Sequence, residues 1–189
     1  MTEALRTFRN RLMELPPWKR ALFLPLLVSL FAYLFWRGAI GVFNHFFILV
    51  HTRTNSDYFT SFVCTRRTYS VSELNVGDYV YFPYRGERQY PQYGVANGEL
   101  LVKMVAALPG MKVKVDDHHV YINGQIKGAV LHTDRKGNPV DYFHYDGPVP
   151  SGKVFVMAPH PRSFDSRYWG FVDECWGLHK CWPLPLSDK

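Results

Sequence analysis

The chain has 189 residues and a mass of 22.0 kDa, and 47% of its residues are hydrophobic, enough for one compact domain and a small appendage. Its formal charge of +6 is uneven: residues 1–37 hold six Lys/Arg against two Asp/Glu, leaving sixteen against fourteen in the remainder. The excess belongs to the amino-terminal segment and not to a binding face, which argues against nucleic acid as a partner.

Along the chain, the first feature is "ALFLPLLVSLFAYLFW", residues 21–36, preceded by Arg6, Arg9, Arg11, Lys19 and Arg20. Sixteen helical residues reach about 24 Å, so a membrane span needs to continue past Arg37 into "GAIGVF", with the arginine side chain snorkelling. A helix from Ala21 through Val50 would cover roughly 45 Å against a hydrocarbon core of about 30 Å, so "FFILVHTRT" reads as a strand of the folded domain. This divides the chain into a basic cytoplasmic segment (1–20), a transmembrane anchor (21–43) and an extracytoplasmic domain (44–189). The positive-inside rule sets that orientation, a single pass with the main domain on the outer, periplasmic side of the inner membrane.

Beyond the anchor the sequence consists of short β segments separated by turn chemistry, with no long amphipathic helical pattern. "VGDYVYFPY" alternates after a Gly-Asp turn, and "ELLVKMVAAL" is a buried strand ending at Pro109-Gly110. "KVKVDDHHVYINGQIKG" reads as two hairpins turning at Asp116 to His118 and at Asn123-Gly124, and "KVFVMAP" is a further strand. Residues 83–99 and 132–148, rich in Pro, Gly and polar or aromatic residues, are loops or small excursions. The expected fold is mainly β, an antiparallel, barrel-like domain behind one transmembrane helix.

The chemistry-bearing residues narrow the function. Cys175 and Cys181, spaced by "WGLHK", are close enough in sequence to close a small disulfide loop and leave Cys64 free, although spacing alone does not fix the geometry. "DDHH" at 116–119 gathers metal-ligand types, but neighbouring strand residues face opposite ways and the cluster falls on a turn, so no metal site is read there. No "GxSxG" elbow supports a Ser-His-Asp hydrolase. Lys103 stands among aliphatics in "LLVKMVAAL"; such a lysine usually turns its amine to solvent, but in a strand buried on both faces desolvation would favour the neutral amine, a general base. "SFDSRYWGF", residues 163–171, is a dense run of hydrogen-bonding groups.

The order of these segments resembles the type I signal peptidases, membrane-bound endopeptidases with a Ser-Lys dyad, and among them the conjugative-transfer signal peptidases. Lys103 in "LVKMVAALPG" matches that family's general base. In the final box, Ser163 matches the residue that orients the lysine, and Asp165 and Arg167 match its supporting carboxylate and arginine. "TRTNSDYFTSF" resembles the nucleophile box, with Ser56 as nucleophile and the Thr54 hydroxyl assisting the Ser56 N–H in binding the oxyanion. Asp57 and Tyr58 depart from the apolar residue and proline usual after the nucleophile, and Ser61, followed by Phe62, is the alternative nucleophile. Met111 replaces a usual aspartate, and Ala158-Pro159 replaces a Gly-Asp or Gly-Asn turn.

The resemblance implies a signal peptidase that removes leader peptides from exported precursors with small residues at the P1 and P3 positions. A pilin or another transfer protein of a type IV secretion apparatus is the implied precursor, with membrane lipid as the other partner and no metal or cofactor. A general leader peptidase, and a catalytically degenerate homologue serving as a secretion-system assembly factor, are the alternatives.

Overall fold

The computed structural model describes residues 2–14, 16–52 and 59–185. The chain forms two units, Met1–His45 and Phe46–Lys189. In the first, α1 spans Thr2–Met13 and α2 spans Pro17–Phe46. Pro17 opens α2 at a position where a missing N–H costs nothing, since the first turn has no acceptor for it. Thirty residues extend roughly 45 Å, and within them Pro25–Phe46 is long and apolar enough to cross a membrane. The helix therefore begins in the basic segment, ahead of the apolar run, and continues through Asn44 and His45. It ends where Phe47 is taken into sheet pairing with Thr65.

The second unit is built from eleven strands among the described residues. They are β1 (Phe47–His51), β2 (Ser61–Thr65), β3 (Tyr79–Pro83), β4 (Leu100–Ala107), β5 (Lys112–Val115), β6 (His119–Ile122), β7 (Gln125–Ala129), β8 (Tyr145–Pro148), β9 (Lys153–Met157), β10 (Val172–Asp173) and β11 (His179–Leu184). A seven-stranded sheet has the order β1-β2-β11-β3-β4-β9-β10, and a four-stranded sheet has the order β7-β6-β5-β8. Every pairing in both sheets is antiparallel, and the larger sheet curls into a half-barrel, the mainly β architecture expected of the sequence.

Alternation explains the core. Val80, Phe82, Val105, Val154 and Val156 fill one face of the large sheet, while Phe62, Cys64, Val102 and Cys181 lie together in a separate cluster. A third cluster joins Val113, Val115, Val120 and Ile122 of the small sheet to Phe155 and Met157 of β9. Gly128 of β7 lies close against the Met157 side chain at the end of β9. The turn at Asn123-Gly124 has φ of 50° and 81°, the left-handed pair that a tight hairpin needs.

Two sequence expectations are corrected. Cys64, not Cys175, is disulfide-bonded to Cys181: the two stand opposite each other on β2 and β11, whereas Cys175 lies in a 3-10 turn and is free and exposed. Residues 132–148 are not wholly loop, because Tyr145–Pro148 forms β8 and pairs along β5. The carboxyl-terminal stretch supplies β11 between β2 and β3. Its Pro183 is tolerated because β3 pairs only with His179–Cys181, so no ladder bond to that side is lost. In "DDHH", Asp116 accepts from the His118 and His119 N–H groups and shapes the turn, and the described residues hold no cluster suited to a metal ion.

Candidate active site

Lys103 sits in the middle of β4, paired with Val80 of β3 and on the same face as Leu101 and Val105. Its side chain is inside the protein, with only 6% of the residue exposed, so the outward orientation usual for a strand lysine is not taken. An ammonium kept from water this way loses hydration that only specific partners replace. One partner is the Ser163 hydroxyl, which accepts from Lys103 Nζ at 3.0 Å.

The topology explains how residues sixty apart meet. β9 lies beside β4, with Met157 opposite Met104, so the chain leaving β9 at Ala158 passes alongside Lys103. A tight loop then returns Ser163, its N–H donating to His160 O at 2.9 Å. The residue that fixes this loop is Arg167, 1% exposed and bonded through all three guanidinium nitrogens. Nε and Nη2 donate to the two Asp165 carboxylate oxygens at 2.8 Å each. Nη1 reaches Pro161 O and Ala129 O at 3.1 Å, and Nη2 also reaches Ser163 O at 3.1 Å and His160 O at 3.2 Å. Burial opposes the guanidinium charge, but the Asp165 carboxylate outweighs it and holds the group above its ordinary pKa.

Asp165 is itself fully buried and receives two backbone donors, Ala158 N–H at 3.0 Å and Arg167 N–H at 3.2 Å. The second of these caps the short helix α3 (Ser166–Trp169). The ion pair thus ties the end of β9, the 160–163 loop and α3 into one unit. Neighbouring Ser166, also fully buried, accepts from Val156 N–H at 3.0 Å and locks α3 onto β9. Tyr168 is buried and accepts from Leu131 N–H through its hydroxyl. Trp169 is packed edge-on to Tyr84.

Of the residues singled out in the sequence, Lys103, Ser163, Asp165 and Arg167 are therefore together. Ser56 and Thr54 lie outside the described residues. Ser61 is on β2, three strands from β4, with its Oγ 3.1 Å from His51 Nδ1. Sequence reasoning missed Ser166, whose signal was only its place in the box, and missed the aromatic surroundings of Phe164. Tyr90 and Tyr93 pack on that ring from a segment read as loop.

The fold is an antiparallel β domain, preceded in the chain by an apolar helix, and it buries a lysine amine against a serine hydroxyl. The chain belongs to the signal peptidase family, peptidase S26, whose family model matches residues 19–175. Among curated proteins it is 38% identical over 91 residues to the Agrobacterium tumefaciens conjugal transfer protein TraF, covering 46% of this chain and 51% of that one. It is 33% identical over 113 residues to a probable signal peptidase I-1 of Synechocystis, covering 59% and 55%. The matches span from a quarter to just over half of the length of such relatives. A crystal structure of a signal peptidase I from Enterococcus faecalis is 26% identical with a TM-score of 0.34, covering 56% of this chain and 93% of that one.

Proposed function

We infer that the protein is a membrane-anchored serine endopeptidase that removes leader peptides from exported precursors through a Ser56–Lys103 dyad. The observation that carries this reading is the buried Lys103 amine held at 3.0 Å by Ser163. Family membership and the apolar helix support anchoring in a membrane, and the basic amino-terminal segment favours a cytoplasmic amino terminus with the β domain on the periplasmic side of the inner membrane.

The chemistry follows from the groups. The Ser56 hydroxyl oxygen bonds to the scissile carbonyl carbon while its proton passes to the neutral Lys103 amine. The Ser56 N–H and the Thr54 hydroxyl stabilise the oxyanion. Collapse breaks the C–N bond as the Lys103 ammonium returns the proton to the leaving amine. Water then attacks the acyl carbon, its proton taken by Lys103, and the acyl–oxygen bond to Ser56 breaks as Lys103 returns that proton to Ser56 Oγ. Ser163 fixes the amine's position, and the Asp165–Arg167 pair fixes Ser163. Precursors with small side chains at the P1 and P3 positions are the substrates, with a pilin or other conjugative transfer protein favoured by the likeness to TraF. The similarity to a probable signal peptidase I-1 keeps a general leader peptidase as the second reading.

The test is a precursor-processing assay with Ser56→Ala, Ser61→Ala and Lys103→Ala. Ser56→Ala and Lys103→Ala are expected to lower kcat on the order of a thousandfold or more, with Ser61→Ala near wild type. Cleavage at the normal rate by Lys103→Ala refutes the dyad, and loss with Ser61→Ala but not Ser56→Ala transfers the nucleophile. Complementation of a host lacking its general signal peptidase separates the two substrate readings.

A further inference from the structure

Ser163 is held from one side by the Arg167 guanidinium, but the residue after it is held from another direction. The Phe164 ring is sandwiched between Tyr168, parallel to it at 4.9 Å and 8°, and Tyr93, tilted at 4.6 Å, while Tyr90 meets it edge-on at 4.9 Å. Tyr90 and Tyr93 belong to the β3–β4 connection, the long Pro- and Gly-rich segment to which the mechanism assigns no role.

That connection is built to hold a shape. Tyr90 and Val95 bond to each other in both directions, at 2.6 and 3.1 Å, around a 3-10 turn (Pro91–Tyr93) that ends at Gly94 with φ of 68°. The Tyr84 hydroxyl donates to Arg88 O at 2.7 Å. The segment is also tied to the β7–β8 connection: Tyr93 donates to Asp134 Oδ2 at 3.3 Å, and Arg88 Nη1 to Asp141 Oδ2 at 3.4 Å. The β3–β4 connection, tied to the β7–β8 connection, thus packs on the ring next to the serine that touches Lys103.

We propose that this aromatic clasp sets the position of Ser163, and through it of the Lys103 amine, with Tyr93 as its principal positioning residue. The proposal rests on the reading of Lys103 as the base. Consecutive side chains diverge: Ser163 goes to Lys103, Phe164 into the clasp and Asp165 to Arg167. A ring clamped between two others limits rotation of the backbone that carries the hydroxyl. Opening one side of the sandwich lets the 3.0 Å contact lengthen, and small misplacements of a proton acceptor are costly to rate.

The experiment uses the full chain in detergent and an internally quenched peptide with alanine at the P1 and P3 positions. Tyr93→Ala is expected to lower kcat about tenfold with KM within about twofold of wild type, and to displace the acid limb of the kcat–pH profile. Tyr93→Phe, which keeps the ring and loses only the bond to Asp134, is expected to restore both. Phe164→Leu, a milder change, is expected to reproduce the kcat loss and serves if Tyr93→Ala fails to fold. A folded Tyr93→Ala or Phe164→Leu with wild-type kcat and pH profile overturns the proposal. So does a rise in KM alone, which would make the segment a substrate wall. Ser163→Ala and Lys103→Ala at the wild-type rate would instead sink the reading of the site itself.

Discussion

Replacing Asp165 by alanine tests whether the ion pair behind the site is structural. The side chain is fully buried and its two oxygens accept four hydrogen bonds, two from the Arg167 guanidinium and one each from the Ala158 and Arg167 N–H groups. Removal leaves a guanidinium that is 1% exposed without its counter-charge and leaves two backbone donors short of an acceptor. Breaking a buried pair by deleting one partner costs about 3–5 kcal/mol. For a unit of residues 46–189, at about 3 °C per kcal/mol, that lowers Tm by roughly 10–15 °C. The assay is thermal unfolding of the detergent-solubilised chain followed by near-ultraviolet circular dichroism, with Ser163→Ala alongside. The serine variant removes one hydroxyl from an otherwise intact loop and is expected to melt close to wild type while losing peptidase activity. Asp165→Ala melting within about 2 °C of wild type would refute the account of the pair as the tie between β9, the loop and α3.

Three further predictions concern features away from the amine. Native, unreduced protein is expected to take up one equivalent of maleimide, at exposed Cys175, by intact mass; uptake at Cys64 or Cys181 would refute the pairing. The double variant Cys64→Ala, Cys181→Ala opens a link across 117 residues and is expected to lose up to about 5 kcal/mol in denaturant unfolding, an upper limit from loop entropy. Asp134 is held below its ordinary value of 3.8, chiefly by its bond from the Asn138 side chain, against desolvation as the next largest effect, with the Asn138 and Lys136 N–H groups and the Tyr93 hydroxyl adding to the lowering. A depressed folded-state value means its contribution is complete above the unfolded value and disappears as pH falls through the folded one. The Tm difference between wild type and Asp134→Asn should therefore be flat above pH 5 and shrink below about pH 4, and a difference that grows on acidification would reverse the sign.

Where the chain's own periodicity carried information, the fold was legible. β3, β4 and β9 announce themselves by alternating or continuous apolar residues, and the β6–β7 turn by Asn123-Gly124. β8 was not, because "YDGP" carries no strand preference and is held only by register with Lys112–Val115. β11 was hidden for a related reason: a proline and two basic residues disguise a strand whose place is decided by partners far away in sequence, on β2 and β3. The same long-range register overrode local spacing in the cysteines. At the site, Lys103 taken alone favoured solvent, and only its order relative to "SFDSRYWGF" pointed inward. The contact with Ser163 depends on β4 and β9 being neighbours, which no local pattern encodes. Tyr90 and Tyr93 carried even less, since aromatics between glycines and prolines read as surface until a ring is found to stack on them.

The location of β11 bears on how such a chain comes into being. Synthesis runs from the amino terminus, so β1-β2 and β3-β4-β9-β10 exist as separate pieces until residues 179–184 are made. Until then β2 and β3 each present a bare edge, the kind of surface that pairs indiscriminately with other strands. The last insertion joins partners distant in sequence and is intrinsically slow. The enclosure of the core between β2 and β3 is therefore a late event in the life of each molecule, and loss of a few residues from His179 onward would leave two unjoined half-sheets in place of a trimmed domain.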